Sequence, residues 1–207
     1  MSSEADIPKK TLIETLENMG EAASEEGLSL GGIRDQLDQS AFGALLIALA
    51  MPVSIPLLYG VPQVVAVPML FLAAQMVIGR KEPWLPAKLA NRMISKSGLQ
   101  QMARGARKWF GWVERLAYPR LTFLASRPAE RVIGLFLCVF CTSILIPLPA
   151  TNTVPGIAVA IVGFGLLAKD GLLILPGLAL GSAWVTGLVL VGDRITDIIR
   201  NTVSGIL

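Results

Sequence analysis

Two uncharged apolar runs, residues 132–145 and 156–168, are joined by Ile146-Pro-Leu-Pro-Ala-Thr-Asn-Thr-Val-Pro155, and this junction constrains the fold more than any other stretch. Pro147, Pro149 and Pro155 lack backbone donors and disfavour helix in the residue before each, so two apolar helices must meet and break here. Non-helical backbone is tolerated inside a bilayer only where protein buries it or water lines it. Thr151, Asn152 and Thr153 are therefore candidates for the polar lining of a functional cavity. The competing reading is a solvent-facing turn between two spanning helices.

Ile55-Pro-Leu-Leu-Tyr-Gly-Val-Pro62 repeats the frame, Ile-Pro-Leu and then Val-Pro, with two fewer residues between. Apolar runs flank it again, and from Val-Pro onward residues 61–71 align with 154–164 without a gap. An interrupted apolar segment repeated in the two halves of a chain is a pointer to a midplane binding site in transporters. Pro52, Pro56 and Pro62 in the first copy and Pro147, Pro149 and Pro155 in the second are the expected hinge positions.

The chain is 53% hydrophobic and 16% charged, more apolar surface than a soluble domain of 207 residues buries. An all-α, polytopic integral membrane protein follows. Charge is unevenly placed: residues 1–40 hold nine acids and three bases, residues 80–131 twelve bases and three acids. Basic blocks beside apolar spans mark the cytoplasmic face and its anionic lipids, so membrane lipid rather than nucleic acid is the partner expected at 80–131. The first apolar run begins only at Ala41, behind an acidic stretch. Insertion is expected to use the internal spans and not a cleaved leader.

Five segments are expected. Residues 1–40 are acidic and amphipathic, with Ile7, Leu12, Leu16 and Met19 at helical spacing and Ser29 or a glycine starting a second helix through Ile33, Leu37 and Phe42. These helices are expected to pack on the basic block or on a partner subunit. Residues 41–79 form the first hairpin. Its first arm, to Leu58, reaches about 27 Å, just short of a hydrocarbon core, so spanning and re-entrant geometries both fit. Residues 80–131 interleave tryptophan with lysine and arginine, as suits an interfacial connector. Residues 132–192 carry the second hairpin and the longest unbroken span, in which Gly177 and Gly181 form a close-approach face for a neighbouring helix or a homodimer seam. Residues 193–207 read as a short interfacial tail helix.

Enzymatic motifs are missing, and no cofactor or metal is expected. The spans 41–79 and 132–168 contain no Asp or Glu, and the chain has no histidine. Cys138 and Cys141 share one apolar helical face without the basic neighbours that activate a thiol, and read as packing residues. Lys169 and Asp170 read as an interfacial pair. The polar groups at membrane depth are Ser54, Tyr59, Gln63, Gln75, Thr142, Ser143 and Thr151 to Thr153. A solute held between the two turns would have Thr151, Asn152 and Thr153 facing Tyr59 and Gln63; helix packing and turn capping are the alternative uses of these groups.

Leu28-Ser-Leu-Gly31, Phe42-Gly-Ala-Leu-Leu46, Gly79-Arg-Lys-Glu-Pro-Trp-Leu-Pro86, Ser126-Arg-Pro-Ala-Glu-Arg131 and Ile146-Pro-Leu-Pro with Asn152-Thr-Val-Pro155 occur in one order. In this the chain resembles the ExoD family of bacterial membrane proteins, named for exopolysaccharide synthesis. The resemblance implies a multi-pass inner-membrane protein associated with exopolysaccharide production, and carries over no catalytic residue. A transporter or channel-like component is the function expected; a scaffold for exopolysaccharide machinery is the alternative. By parity, two returning hairpins and one final span put the N-terminus and connector inside and the C-terminus outside. Alkaline phosphatase fused after Leu207 is expected to be active, and a reporter that fluoresces only in the cytoplasm is expected to stay dark there.

Overall fold

A computed structural model describes residues 28–37, 40–54, 60–91, 93–97, 100, 120–146 and 151–204. The amphipathic pattern of residues 7–26 and the second basic segment of the connector lie outside them. The architecture is helical, with one two-residue antiparallel ladder in which β1 (Leu28–Ser29) pairs with β2 (Met93–Ile94). Ser29 starts α1 (Leu30–Leu37) as expected, its Oγ accepting the Gly32 N–H at 3.0 Å. The helix is described to Leu37, residues 38–39 lie outside the described residues, and Phe42 belongs to the next described element. A Cβ on Gly31 would sit 3.2 Å from the Ala90 carbonyl, and Arg34 lies beside Asp35 and 3.9 Å from Glu82. The N-terminal segment thus packs on the start of the connector through backbone and small-residue contact.

Five longer helices follow: α2 (Ser40–Val53), α3 (Val61–Ile78), α4 (Arg127–Leu145), α5 (Thr153–Ala168) and α6 (Gly171–Ser204). The first arm is shorter than its apolar run: α2 has 14 residues, about 21 Å, because Pro52 sits in its last turn. Gly79 ends α3 at φ +80°, its N–H and that of Arg80 closing on the carbonyls of Met76 and Gln75. Lys169 ends α5 in the same left-handed conformation, φ 52°. Asp170 is not the partner of Lys169 at the surface. It is 2% exposed and caps α6, accepting the Leu172 N–H at 3.0 Å. The expected separate tail helix is continuous with α6, whose 34 residues run unbroken past Asp193.

Glycines set the packing. A Cβ on Gly43 would come within 2.6 Å of the Gly163 carbonyl and 2.8 Å of Leu167 N, and one on Gly156 within 2.9 Å of Val53 Cγ1. The start of α2 therefore lies against the end of α5, and the end of α2 against the start of α5. A Cβ on Gly134 would meet Met76 and Ala73 at 2.8 and 2.9 Å, while Arg131 lies against Gly79, so α3 and α4 are antiparallel too. With α2 on α3 and α4 on α5 through their short connections, the four helices form a ring of antiparallel neighbours. The described residues that flank the two proline elbows, Ser54 and Gly60, and Ile146 and Thr151, stand at one end of that ring, and the charged helix ends stand at the other.

On its outer side, α6 runs antiparallel to α5. A Cβ on Gly165 would meet Ile174 N at 2.8 Å, and one on Gly177 would meet Val162 N at 2.9 Å. Gly177 and Gly181 are occupied within the chain, by α5 and by the Phe140 ring, so this face is not open to a second copy. Leu46, Met69, Leu137, Phe140, Val159 and Ile174 fill the core. The outer faces are apolar as well, with Val64 72% and Val132 56% exposed. Among the described residues three helices, Val61–Ile78, Arg127–Leu145 and Gly171–Arg194, are long and apolar enough to cross a membrane. A surface of this kind, apolar on helices of spanning length, belongs in lipid.

Gly43→Ala is expected to force α2 from α5 backbone against backbone, at a cost of about 1–3 kcal/mol, whereas Gly187→Ala meets nothing within 4 Å. Thermal unfolding in detergent should show a clear drop in Tm for the first and none for the second.

Candidate functional site: the elbow end of the helix ring

At the elbow end two helices finish and two begin, so four sets of unpaired backbone groups meet there. The hydroxyls near the finishing ends bond back within their own helices. Ser54 Oγ donates to the Ala50 carbonyl at 2.8 Å in the last turn of α2. In α4, Thr142 Oγ1 donates to Cys138 O at 2.8 Å and Ser143 Oγ to Phe140 O at 2.7 Å. Three of the polar residues at membrane depth are therefore spent on their own helices.

The beginning helices are treated differently. Residue Gly60, at φ +82°, precedes α3 and has no side chain to offer; Asn152 precedes α5 and makes no side-chain cap. Helical bonding starts with Val64 N to Gly60 O and Gly156 N to Asn152 O, and Pro62 and Pro155 contribute no N–H. The amides of Val61, Gln63, Thr153 and Val154 stand outside the helical ladder at the positive ends of two helix dipoles.

Pro52 closes α2, and Pro62 and Pro155 are buried in the first turns of α3 and α5. Pro56, Tyr59, Pro147 and Pro149 lie outside the described residues. Thr151 and Thr153 are half-buried. Asn152 is only 9% exposed, and its Oδ1 is buried with no hydrogen-bond partner. Gln63, half-buried in the first turn of α3, has a buried Oε1 in the same condition. Gly156 brings the start of α5 onto Val53 and Ser54. The helices α3 and α5 are not among the extensively packed pairs, so Gln63 and the 151–153 segment share an end of the ring across its diagonal.

One group escaped the sequence reading. Trp184 Nε1 is buried with no partner, and with Gln63 Oε1 and Asn152 Oδ1 it completes the set of such side-chain atoms among the described residues. Gly177 meets Val162 and Ala158, Gly181 meets Phe140, and Trp184 follows one turn later at the height where α5 begins. The signal was present as spacing: 177, 181 and 184 share one helical face. All three unsatisfied atoms therefore lie at the elbow end.

Gln75, by contrast, is structural. It is buried near the opposite end of α3, and its amide holds both backbone groups of Trp84, accepting the N–H and donating to the carbonyl. Trp84 stacks edge-on against Phe71 at 5.8 Å, which fixes the start of the connector on the outer face of α3. Cys141 is buried in the core and Cys138 is half-buried one turn away.

Residues 12–190 match the family model described as exopolysaccharide synthesis, ExoD. An uncharacterized protein of Synechocystis sp. is 32% identical over 139 residues, covering 65% of this chain and 65% of that protein, slightly under two thirds of its length. Protein ExoD of Rhizobium meliloti is 26% identical over 182 residues, covering 86% of this chain and 75% of that protein. No solved structure matches the chain. With most of its length, from residue 12 to residue 190, matched by the family model, the chain belongs to the ExoD exopolysaccharide synthesis family.

Proposed function

We propose that the chain is a multi-pass protein of the bacterial inner membrane that acts as a transporter or channel-like component in exopolysaccharide synthesis or envelope physiology, with a solute held at the two proline elbows. The observation that carries this reading is the gathering of Gln63 Oε1, Asn152 Oδ1 and Trp184 Nε1, buried and without partners, at the end where two helix N-termini lack side-chain caps. Buried polar groups are normally paired, and each orphan costs about 1–3 kcal/mol, so three together point to something that is bound there.

Helix lengths support elbows inside the bilayer. Residues 171–192 of α6 carry no charge and extend about 33 Å, close to the roughly 30 Å of a hydrocarbon core. With α6 upright in that layer, Asp170, Arg80, Arg127 and Arg131 mark one face, and Asp193 and Arg194 the other. Trp184, level with the start of α5, is then about 12 Å below the far face. Helices α2 and α5, at about 21 and 24 Å, do not reach it. Residues 52–62 and 145–155 contain no charge, as re-entrant turns in this position require.

Burial supports two copies of one hairpin. Phe42, Gly43, Leu46, Ala50 and Val53 are buried, and so are the residues 91 positions on, Ile133, Gly134, Leu137, Cys141 and Ile144. Past the elbow the offset becomes 93, the two extra residues of the second turn. Pro62, Ala66, Met69, Leu72 and Ala73 then match the buried Pro155, Val159, Val162, Gly165 and Leu166.

A nitroxide on Val61→Cys is expected to collide with oxygen in preference to a water-soluble nickel chelate, the signature of hydrocarbon depth, and one on Arg80→Cys to show the reverse. Purified protein in liposomes should move a solute, and Asn152→Ala should lower the rate at least about tenfold, the scale of one or two lost hydrogen bonds, at unchanged expression. Solute-free, inert liposomes would leave the scaffold reading in its place.

A further inference from the structure

The elbow end holds partnerless buried side-chain atoms of both polarities, and this deepens the proposal above, on which it rests, by naming the class of solute. The indole N–H of Trp184 is a donor, and Gln63 Oε1 and Asn152 Oδ1 are acceptors, beside the first-turn amides of α3 and α5 that stand outside the helical ladder. We infer that the site takes a small neutral solute bearing hydroxyl groups, a polyol or water, and discriminates against ions of either sign.

A hydroxyl donates and accepts through a single oxygen, so one such group can meet an orphaned amide oxygen and the Trp184 N–H or a first-turn amide together. A cation would meet the positive ends of two helix dipoles with two neutral oxygens and no carboxylate, since residues 41–79 and 132–168 contain no acid. The hydroxyls of Ser54, Thr142 and Ser143, which could otherwise face a cation, are engaged with the Ala50, Cys138 and Phe140 carbonyls. A bare anion would suit the N–H groups but press against both amide oxygens, and burying a full charge costs far more than two helix ends return.

Amide orientation is the assumption that an experiment has to reach, because rotating Asn152 and Gln63 would exchange each oxygen for an NH2 and leave an all-donor site fit for an anion. Three probes separate the cases in proteoliposomes: glycerol followed by osmotic light scattering, chloride by a halide-sensitive dye, and potassium by efflux. The expected result is glycerol entry well above that of empty liposomes, with chloride and potassium at background. Trp184→Phe, which keeps the ring and removes the N–H, and Asn152→Leu, which keeps the volume, should each cut glycerol entry about fivefold to tenfold, the worth of a hydrogen bond or two. Both variants should elute from size exclusion as the parent does. Chloride or potassium flux without glycerol flux overturns the neutral-solute assignment and leaves transport at the elbows standing. Silence with all three probes overturns transport and the assignment with it. Glycerol flux unchanged in both variants overturns the assignment of these residues.

Discussion

A helix that stops within a bundle leaves backbone amides and carbonyls that need partners, and two of this chain's helices stop and two start at one end of one bundle. The stops are survivable only if protein closes around them. Gly156 lets the start of α5 press onto Val53 and Ser54, while Gly43, Gly163 and Gly134 draw the inter-hairpin pairs together at backbone distance along their length. Larger residues at these positions would hold the helices apart and open the elbow end to lipid.

Near the ends of α2 and α4, Ser54, Thr142 and Ser143 bond back to carbonyls that already belong to the helical ladder, so their hydroxyls are spent within their own helices. The N-termini of α3 and α5 carry a glycine and an unengaged asparagine instead, although serine, threonine or aspartate would cap either one. Side-chain caps are made at α1, by Ser29, and at α6, by Asp170, while Ser126 before α4 makes none. The uncapped starts of α3 and α5 have the repeated Val-Pro frame in common.

Much of this was legible without coordinates. The prolines and the empty charge tally of the flanking runs located both breaks, and Asn152 and Gln63 stood out as amides where only apolar residues are expected. The choice between a span and a shorter arm was not legible, because it turns on where Pro52 ends α2, and composition is apolar on both sides of that point. Asp170 misled for a related reason. Beside Lys169 it looks like half of an ion pair, yet the left-handed residue before it turns the carboxylate onto the next helix. Trp184 went unnoticed because a tryptophan in an apolar run reads as packing until the neighbouring helix shows that nothing accepts its proton. Gly177 and Gly181 were recognised as a close-approach face, but spacing alone does not tell an internal partner from a second copy.

The seams of the ring are unequal, and this bears on how a solute would pass. Packing is most extensive between α2 and α5 and between α3 and α4, each a pairing of one helix from either hairpin, and lighter between α2 and α3 and between α4 and α5. Backbone-to-backbone glycine contacts lie along the first kind of seam. Two stiff pairs result, α2 with α5 and α6, and α3 with α4, and each elbow joins one pair to the other. Fully buried Leu46, Met69 and Leu137 close the way from the elbows to the charged end. A transport cycle of the kind proposed would use the lighter seams, because parting α2 from α3 or α4 from α5 disturbs less packing than parting either glycine-lined pair.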